Sequence, residues 1–114
     1  MGPFFIFGGV FARALGKLFG FSGITIWPFI IVTTSQEDTS ERLINHELIH
    51  FEQAKELLVI GFYLLYLYYY AKGLIITRSH KEAYYGIKFE KEAYANDGDA
   101  GYLYRRSPHA YKEY

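Results

Sequence analysis

The segment NHELIH, residues 45–50, contains His46, Glu47 and His50 within a stretch that has helical periodicity. At about 100° per residue, His50 lies one turn beyond His46 on the same helix face, so both imidazoles can reach one metal ion. Glu47 lies beside that pair but is displaced from it, which suits a carboxylate that contacts a water molecule and not the metal. The spacing therefore predicts a metal site with an adjacent general base.

The rest of this helix indicates which way the three side chains point. Apolar residues such as Leu43 and Ala54 share their side of the helix, and charged residues lie on the other. Two histidines and a carboxylate that face inward need partners, whereas two surface histidines, the plain alternative, need none. Imidazole donors favour Zn²⁺ over calcium or magnesium, which prefer oxygen ligands.

Two glutamates in KFEKEAYAND, residues 88–97, are candidates for a third ligand. Glu90 and Glu92 diverge by about 200° on a helix, so only one of them can face the histidines. Glu90 lies in the centre of the apolar arc of this helix, and Glu92 lies outside it, so we favour Glu90. The alternative is that both carboxylates are solvated and pair with Lys88 or Lys91.

The chain of 114 residues is long enough for one small domain. The β-branched segment at residues 24–32 predicts one strand, with Pro28 at an edge or a bulge, and Asp38 with Glu41 has the form of a helix-capping box. Gly73 is a plausible helix end. Helices are predicted over 11–19, 40–55, a continuation to 72, and 87–96. The predicted fold is α+β, a compact single domain with about three helices packed against a small sheet.

Composition excludes several classes of protein. There are no cysteines, so disulfides and thiolate metal sites are excluded, and 12 basic against 12 acidic residues give no indication of a nucleic-acid partner. The apolar run at residues 57–71 is too short for a membrane span and predicts a buried core helix. The N-terminal residues lack the basic start of a signal peptide. We therefore predict a cytoplasmic protein without membrane association.

The combination of HELIH with FEKEAYA about 40 residues later resembles the gluzincin metallopeptidases. The likeness extends over residues 23–104 and is greatest to the minigluzincins, soluble minimal versions of membrane-embedded peptidase domains. It implies a gluzincin-like fold, Zn²⁺ held by His46, His50 and Glu90, and Glu47 as the catalytic base. The family's aspartate that orients a ligand histidine falls on Tyr94, so the resemblance leaves Asn96 or Glu92 to replace it.

These observations predict a zinc-dependent endopeptidase that cleaves a peptide or protein substrate, with self-association through exposed aromatic residues also plausible. The family resemblance suggests that the tail, residues 102–114, is regulatory and keeps the enzyme latent. His109 in that tail either caps the metal, acts as an electrophile or is solvated. One alternative is a non-catalytic, zinc-stabilised binding or scaffold protein, and another is a membrane-associated helper.

Two further features lie outside these motifs. Tyr63, Tyr66 and Tyr70 form a helical stripe that predicts packing, and His80 has no partner at ligand spacing and is predicted to be structural. The strand at residues 24–32 either binds an extended peptide along its edge or simply covers the helix.

Overall fold

Three strands and six α-helices follow one another in residues 2–114, the part of the chain that the computed structural model describes. The strands are β1 (Phe4–Phe7), β2 (Gly23–Ile26) and β3 (Phe29–Val32). The helices are α1 (Gly9–Phe19), α2 (Glu41–Glu56), α3 (Ile60–Thr77), α4 (His80–Tyr85), α5 (Lys88–Asn96) and α6 (Tyr102–Arg105), and a 3₁₀ turn covers Ala110–Glu113. The predicted α+β class and single compact domain are confirmed, with twice the expected number of helices.

The sheet has the order β1-β3-β2, with β1 parallel and β2 antiparallel to β3. The single strand predicted over residues 24–32 is wrong, because the chain turns at Trp27–Pro28 and returns as a second strand. A proline has no N–H for the ladder, so a turn accommodates Pro28 where a strand interior would not. Because β2 lies at the edge of the sheet and against α2, it borders the HELIH segment.

Helix α2 carries the HELIH segment and begins at Glu41, directly after the polar loop of residues 33–40. Its N-cap is Ser40, whose hydroxyl accepts a hydrogen bond from the Leu43 N–H at 3.2 Å. The predicted cap at Asp38 is wrong, because that residue lies in a preceding turn and accepts from the Ser35 hydroxyl instead. The inward face of α2 buries both histidines and Glu47, as the apolar arc predicted.

Helix α3 departs from prediction in two ways. It continues through Gly73 and ends at Thr77. The glycine is needed for packing, since the backbone of Ala83 in α4 approaches it closely and an added Cβ would lie 3.0 Å from the Ala83 Cα. It is also not a buried core helix, since Phe62 is its only fully buried residue and side chains such as Leu64 and Leu67 are more than 60% exposed.

The junction of α2 and α3 is a sharp bend at Leu58 and Val59, both of which have positive φ. Among the described residues, no single helix has the length and apolar character of a membrane span. By length and composition alone, α2 and α3 pass that criterion as a pair bent by 112°.

The core consists of two adjoining clusters that bring α5 across α2. One contains Ile30, Val32 and Phe51 between the sheet and α2. The other contains Ala54, Phe62, Ile87, Phe89 and Tyr111, the last of which belongs to the C-terminal tail. Because Phe89 is anchored in this second cluster, the next residue, Glu90, is directed toward the histidines of α2.

Candidate metal centre

Three buried side chains from α2 and α5 converge on one point. The Nε2 atoms of His46 and His50 each lie 3.0 Å from the same oxygen, Oε1 of Glu90. All three side chains are buried, and one donor atom from each lies within 4.8 Å of the other two. Two imidazole nitrogens and a carboxylate oxygen are the donor types that zinc prefers, so this cluster could hold a metal ion.

Charge inside the cluster is balanced between Glu90 and His50. Burial lowers the pKa of His50, but the Glu90 carboxylate outweighs that effect and raises it to about 9. Burial raises the pKa of Glu90, and the charge of His50 with hydrogen bonds from both histidines and Tyr66 outweighs it, so this pKa lies far below its usual range. A cation bound here would replace the proton on the imidazole, so binding releases a proton.

The outward nitrogens of both histidines are held by acceptors. His46 Nδ1 lies 3.1 Å from Asp97 Oδ2, and His50 Nδ1 lies 2.8 Å from the Gln53 side-chain oxygen. A carboxylate and an amide oxygen can only accept, so each Nδ1 carries hydrogen and each Nε2 faces Glu90. Second-layer partners of this kind orient histidine ligands in metal sites.

The expectation that Asn96 or Glu92 would itself bond a ligand histidine is wrong. Asp97 does so for His46, because α5 ends at Asn96 and the next residue turns back toward α2. Arg42 lies 3.4 Å from the other Asp97 oxygen, and Asn45 donates to the Asp97 carbonyl at 3.2 Å.

Glu47 lies beside the three donors and is not one of them. The Thr25 hydroxyl, on β2, shares its hydrogen between Glu47 Oε1 at 3.1 Å and the Glu47 carbonyl at 3.0 Å. Burial raises the pKa of Glu47, and the nearby histidines offset only part of that rise. Gly23 leaves room for this side chain, because an added Cβ would lie 3.3 Å from Glu47 Cγ.

The predicted tyrosine stripe contributes hydroxyls to the site as well as rings to the core. The Tyr66 hydroxyl donates to the second oxygen of Glu90 at 2.7 Å, and the Tyr70 hydroxyl lies 2.8 Å from His80 Nδ1. The rings of Tyr66 and Tyr70 pack against the core, as predicted. Sequence reasoning missed the contact with Glu90, which joins two helices through residues that are 24 positions apart in the chain.

A cleft of about 740 Å³ borders the cluster, and His46, Glu47, His50 and Glu90 all line it. Its other walls are β2, the end of α1 at Phe19, and aromatic side chains of α3, α4 and α5. His80, predicted to be structural, lies in this wall and bonds to Tyr70.

The tail lies away from the cleft, and no residue from 102 to 114 lines it. The His109 N–H donates to Glu56 at 2.6 Å, and its ring packs near Tyr111, so His109 does not cap the metal donors. The expectation that the tail keeps the protein latent by covering the site is therefore not met in this structure.

Glu92 faces this tail and not the histidines. It is fully buried and accepts hydrogen bonds from Arg106, from the Tyr102 hydroxyl at 2.7 Å and from the Gln53 amide at 3.0 Å. Glu90 and Glu92 therefore point to opposite sides of α5, as the helical wheel indicated, and neither is solvated.

Comparison of the chain with protein-family models, curated proteins and solved structures gave no match.

Proposed function

We propose that this protein is a zinc-dependent endopeptidase of the gluzincin type, with Zn²⁺ held by His46, His50 and Glu90. The observation that carries the proposal is the approach of both histidine Nε2 atoms to one Glu90 oxygen, each at 3.0 Å, with Glu47 buried beside them. A structural zinc site is closed by four protein ligands, whereas a catalytic one keeps a position open. The three donors here border a cleft, which favours the catalytic alternative over a scaffold.

Bound zinc would supply a Lewis acid that makes a water molecule acidic enough to attack a peptide carbonyl near neutral pH. Glu47 would take a proton from that water and pass it to the leaving amine. Burial raises the pKa of Glu47 above its ordinary value, which makes its carboxylate a stronger base. The Thr25 hydroxyl fixes the Glu47 oxygen at 3.1 Å and keeps the carboxylate apart from the three donors.

The edge strand β2 gives a place for an extended peptide, because its residues Gly23, Ile24 and Thr25 line the cleft. Main-chain pairing along such an edge binds peptides with little selection among side chains. The Tyr63 hydroxyl already occupies the edge at its Trp27 end, bonding the Thr25 carbonyl at 3.1 Å and the Trp27 N–H at 2.9 Å. Pairing would therefore be centred on Gly23, next to Glu47.

Metal content and hydrolysis of an unstructured protein substrate test this function together. We expect about one zinc per chain in the wild type. In Glu47→Gln, zinc content should stay the same while hydrolysis falls by about 100-fold or more, because the proton acceptor is lost. Glu52→Gln is the matched control, since Glu52 lies on the same helix and pairs with Lys55 at the surface.

The outcomes separate the candidate functions. Zinc without hydrolysis in the wild type would favour the zinc-stabilised scaffold. Absence of zinc after incubation with the metal would overturn the metal centre itself. Equal loss of activity in both glutamate variants would remove the specific role assigned to Glu47.

A further inference from the structure

A chain of side-chain hydrogen bonds connects the C-terminal tail to the metal donors. The guanidinium of Arg106 binds both oxygens of Glu92, with Nη2 to Oε1 at 3.0 Å. Glu92 Oε1 also accepts from the Gln53 amide nitrogen at 3.0 Å, and the Gln53 oxygen lies 2.8 Å from His50 Nδ1. Three contacts thus link a residue of the tail to the imidazole of His50.

The donors and acceptors in this series of hydrogen bonds fix the orientation of the Gln53 amide. The Gln53 amide nitrogen faces two groups that only accept, the Phe89 carbonyl at 3.1 Å and the ionised Glu92 carboxylate. The Gln53 oxygen must therefore be the atom that faces His50. An amide oxygen holds the hydrogen on His50 Nδ1, and the Nε2 atom that faces Glu90 is then free to bind a metal.

The positive charge of Arg106 stabilises the buried, negatively charged carboxylate of Glu92. Glu92 is fully buried, and the Arg106 side chain is only 5% exposed. A buried carboxylate without a cation is strongly unfavourable, and the planar guanidinium binds both oxygens in one plane, which a lysine cannot do. Arg106 is itself fixed from a second side, because its Nη2 lies 2.9 Å from Glu56 on α2.

We propose that the C-terminal tail is a structural part of the metal centre and that Arg106 is a positioning residue for His50, acting through Glu92 and Gln53. This inference rests on the metal centre proposed above. In this role the tail does not cover the cleft. It fixes the orientation of His50 through contacts on the side of the site away from the cleft.

The test compares two neighbouring arginines by direct zinc binding. Arg106→Met removes the buried contact, and Arg105→Met is the matched control, because Arg105 lies largely exposed and pairs with Asp99 at the surface. We expect Arg106→Met to weaken zinc affinity by about tenfold in a chelator competition, the size of effect seen when an outer partner of a ligand is lost. Arg105→Met should bind zinc as the wild type does.

A second readout separates positioning from general destabilisation. Imidazole ¹⁵N chemical shifts of the zinc-loaded protein report which His50 nitrogen binds the metal, and the wild type should show zinc on Nε2 and hydrogen on Nδ1. We expect Arg106→Met to give a mixed His50 signal while His46, which is held by Asp97, keeps its wild-type shifts. Unchanged His50 shifts with unchanged zinc affinity would overturn the proposal, as would equal effects of the two arginine variants.

Should Arg106→Met fail to fold, the double variant Arg106→Met with Glu92→Leu replaces the buried pair by apolar side chains of similar size, an exchange that proteins often tolerate. Gln53 still loses Glu92 as an acceptor, so the same tenfold loss of zinc affinity is expected, and wild-type affinity would overturn the proposal. A wild-type protein that binds no zinc overturns both this inference and the metal centre. One that binds zinc without hydrolysis overturns the peptidase alone.

Discussion

Glu90 and Glu92 differ in their partners although they are separated by one residue on α5. Both are buried, and the pKa of each carboxyl is lowered. Glu90 is bonded by two histidines and Tyr66 on the cleft side, whereas Glu92 is bonded by Arg106, Tyr102 and Gln53 on the tail side. Histidines can exchange a proton for a metal ion, and a guanidinium cannot give up its charge. The partners of a buried carboxylate, and not its burial or charge, therefore identify a candidate ligand.

Loss of zinc affinity should separate the two glutamates most strongly. Glu90→Gln removes a donor from the cluster, so we expect affinity to fall by about 1,000-fold or more, beyond the roughly 10- to 100-fold lost with an outer partner. Glu92→Gln acts on the metal donors only through Gln53, so zinc affinity should fall by about tenfold. Calorimetric titration or chelator competition measures both. Similar losses of zinc affinity in the two variants would show that Glu90 is not a metal ligand any more than Glu92 is.

In the absence of metal, the free energy of unfolding should fall more when Glu92 is replaced than when Glu90 is replaced. Glu92→Ala leaves Arg106 with Glu56 as its remaining partner and should cost about 3 kcal/mol, the lower end for breaking a buried ion pair. Glu90→Ala should cost only about 1–2 kcal/mol, because the neighbouring His50 can lose its proton. Urea unfolding in the presence of a chelator gives both free energies of unfolding. A larger loss in Glu90→Ala would contradict this explanation.

The choice of Glu90 over Glu92 was possible from sequence, because the angle between residues on a helix depends only on helix geometry. The same periodicity indicated that His46, Glu47 and His50 face inward. The partners of the histidines were not predictable in this way. Asp97 is 51 residues from His46, and Glu92 is 39 residues from Gln53, so these contacts depend on how α5 packs across α2.

Errors in the predicted fold have related causes. A helix that is apolar on all sides, as α3 is, has no periodic face from which burial can be read, and so its exposure was missed. Gly73 looked like a helix end because glycine often follows a helix, but its role is the close packing of Ala83. The tail is predicted to be regulatory, but it is also part of the core, since Tyr111 packs on Phe89 with ring centroids 4.7 Å apart. The contacts of Gly73 and Tyr111 each join two separate elements, which helical periodicity does not predict.

Two tyrosine hydroxyls allow the finest test of the comparison, because each donates to one glutamate at 2.7 Å. Tyr66→Phe removes a bond that orients Glu90, and we expect zinc affinity to fall by about tenfold. Tyr102→Phe removes a bond from Glu92, which keeps Arg106 and Gln53, so zinc affinity should change by less than about threefold. Each variant should lose about 1–2 kcal/mol of unfolding free energy, since each removes one hydrogen bond to a charged group. Equal losses of stability with unequal losses of zinc affinity would show that only the cleft side of α5 contacts the metal. Equal losses of zinc affinity would mean that Glu92 acts on the ligands as strongly as Tyr66 does.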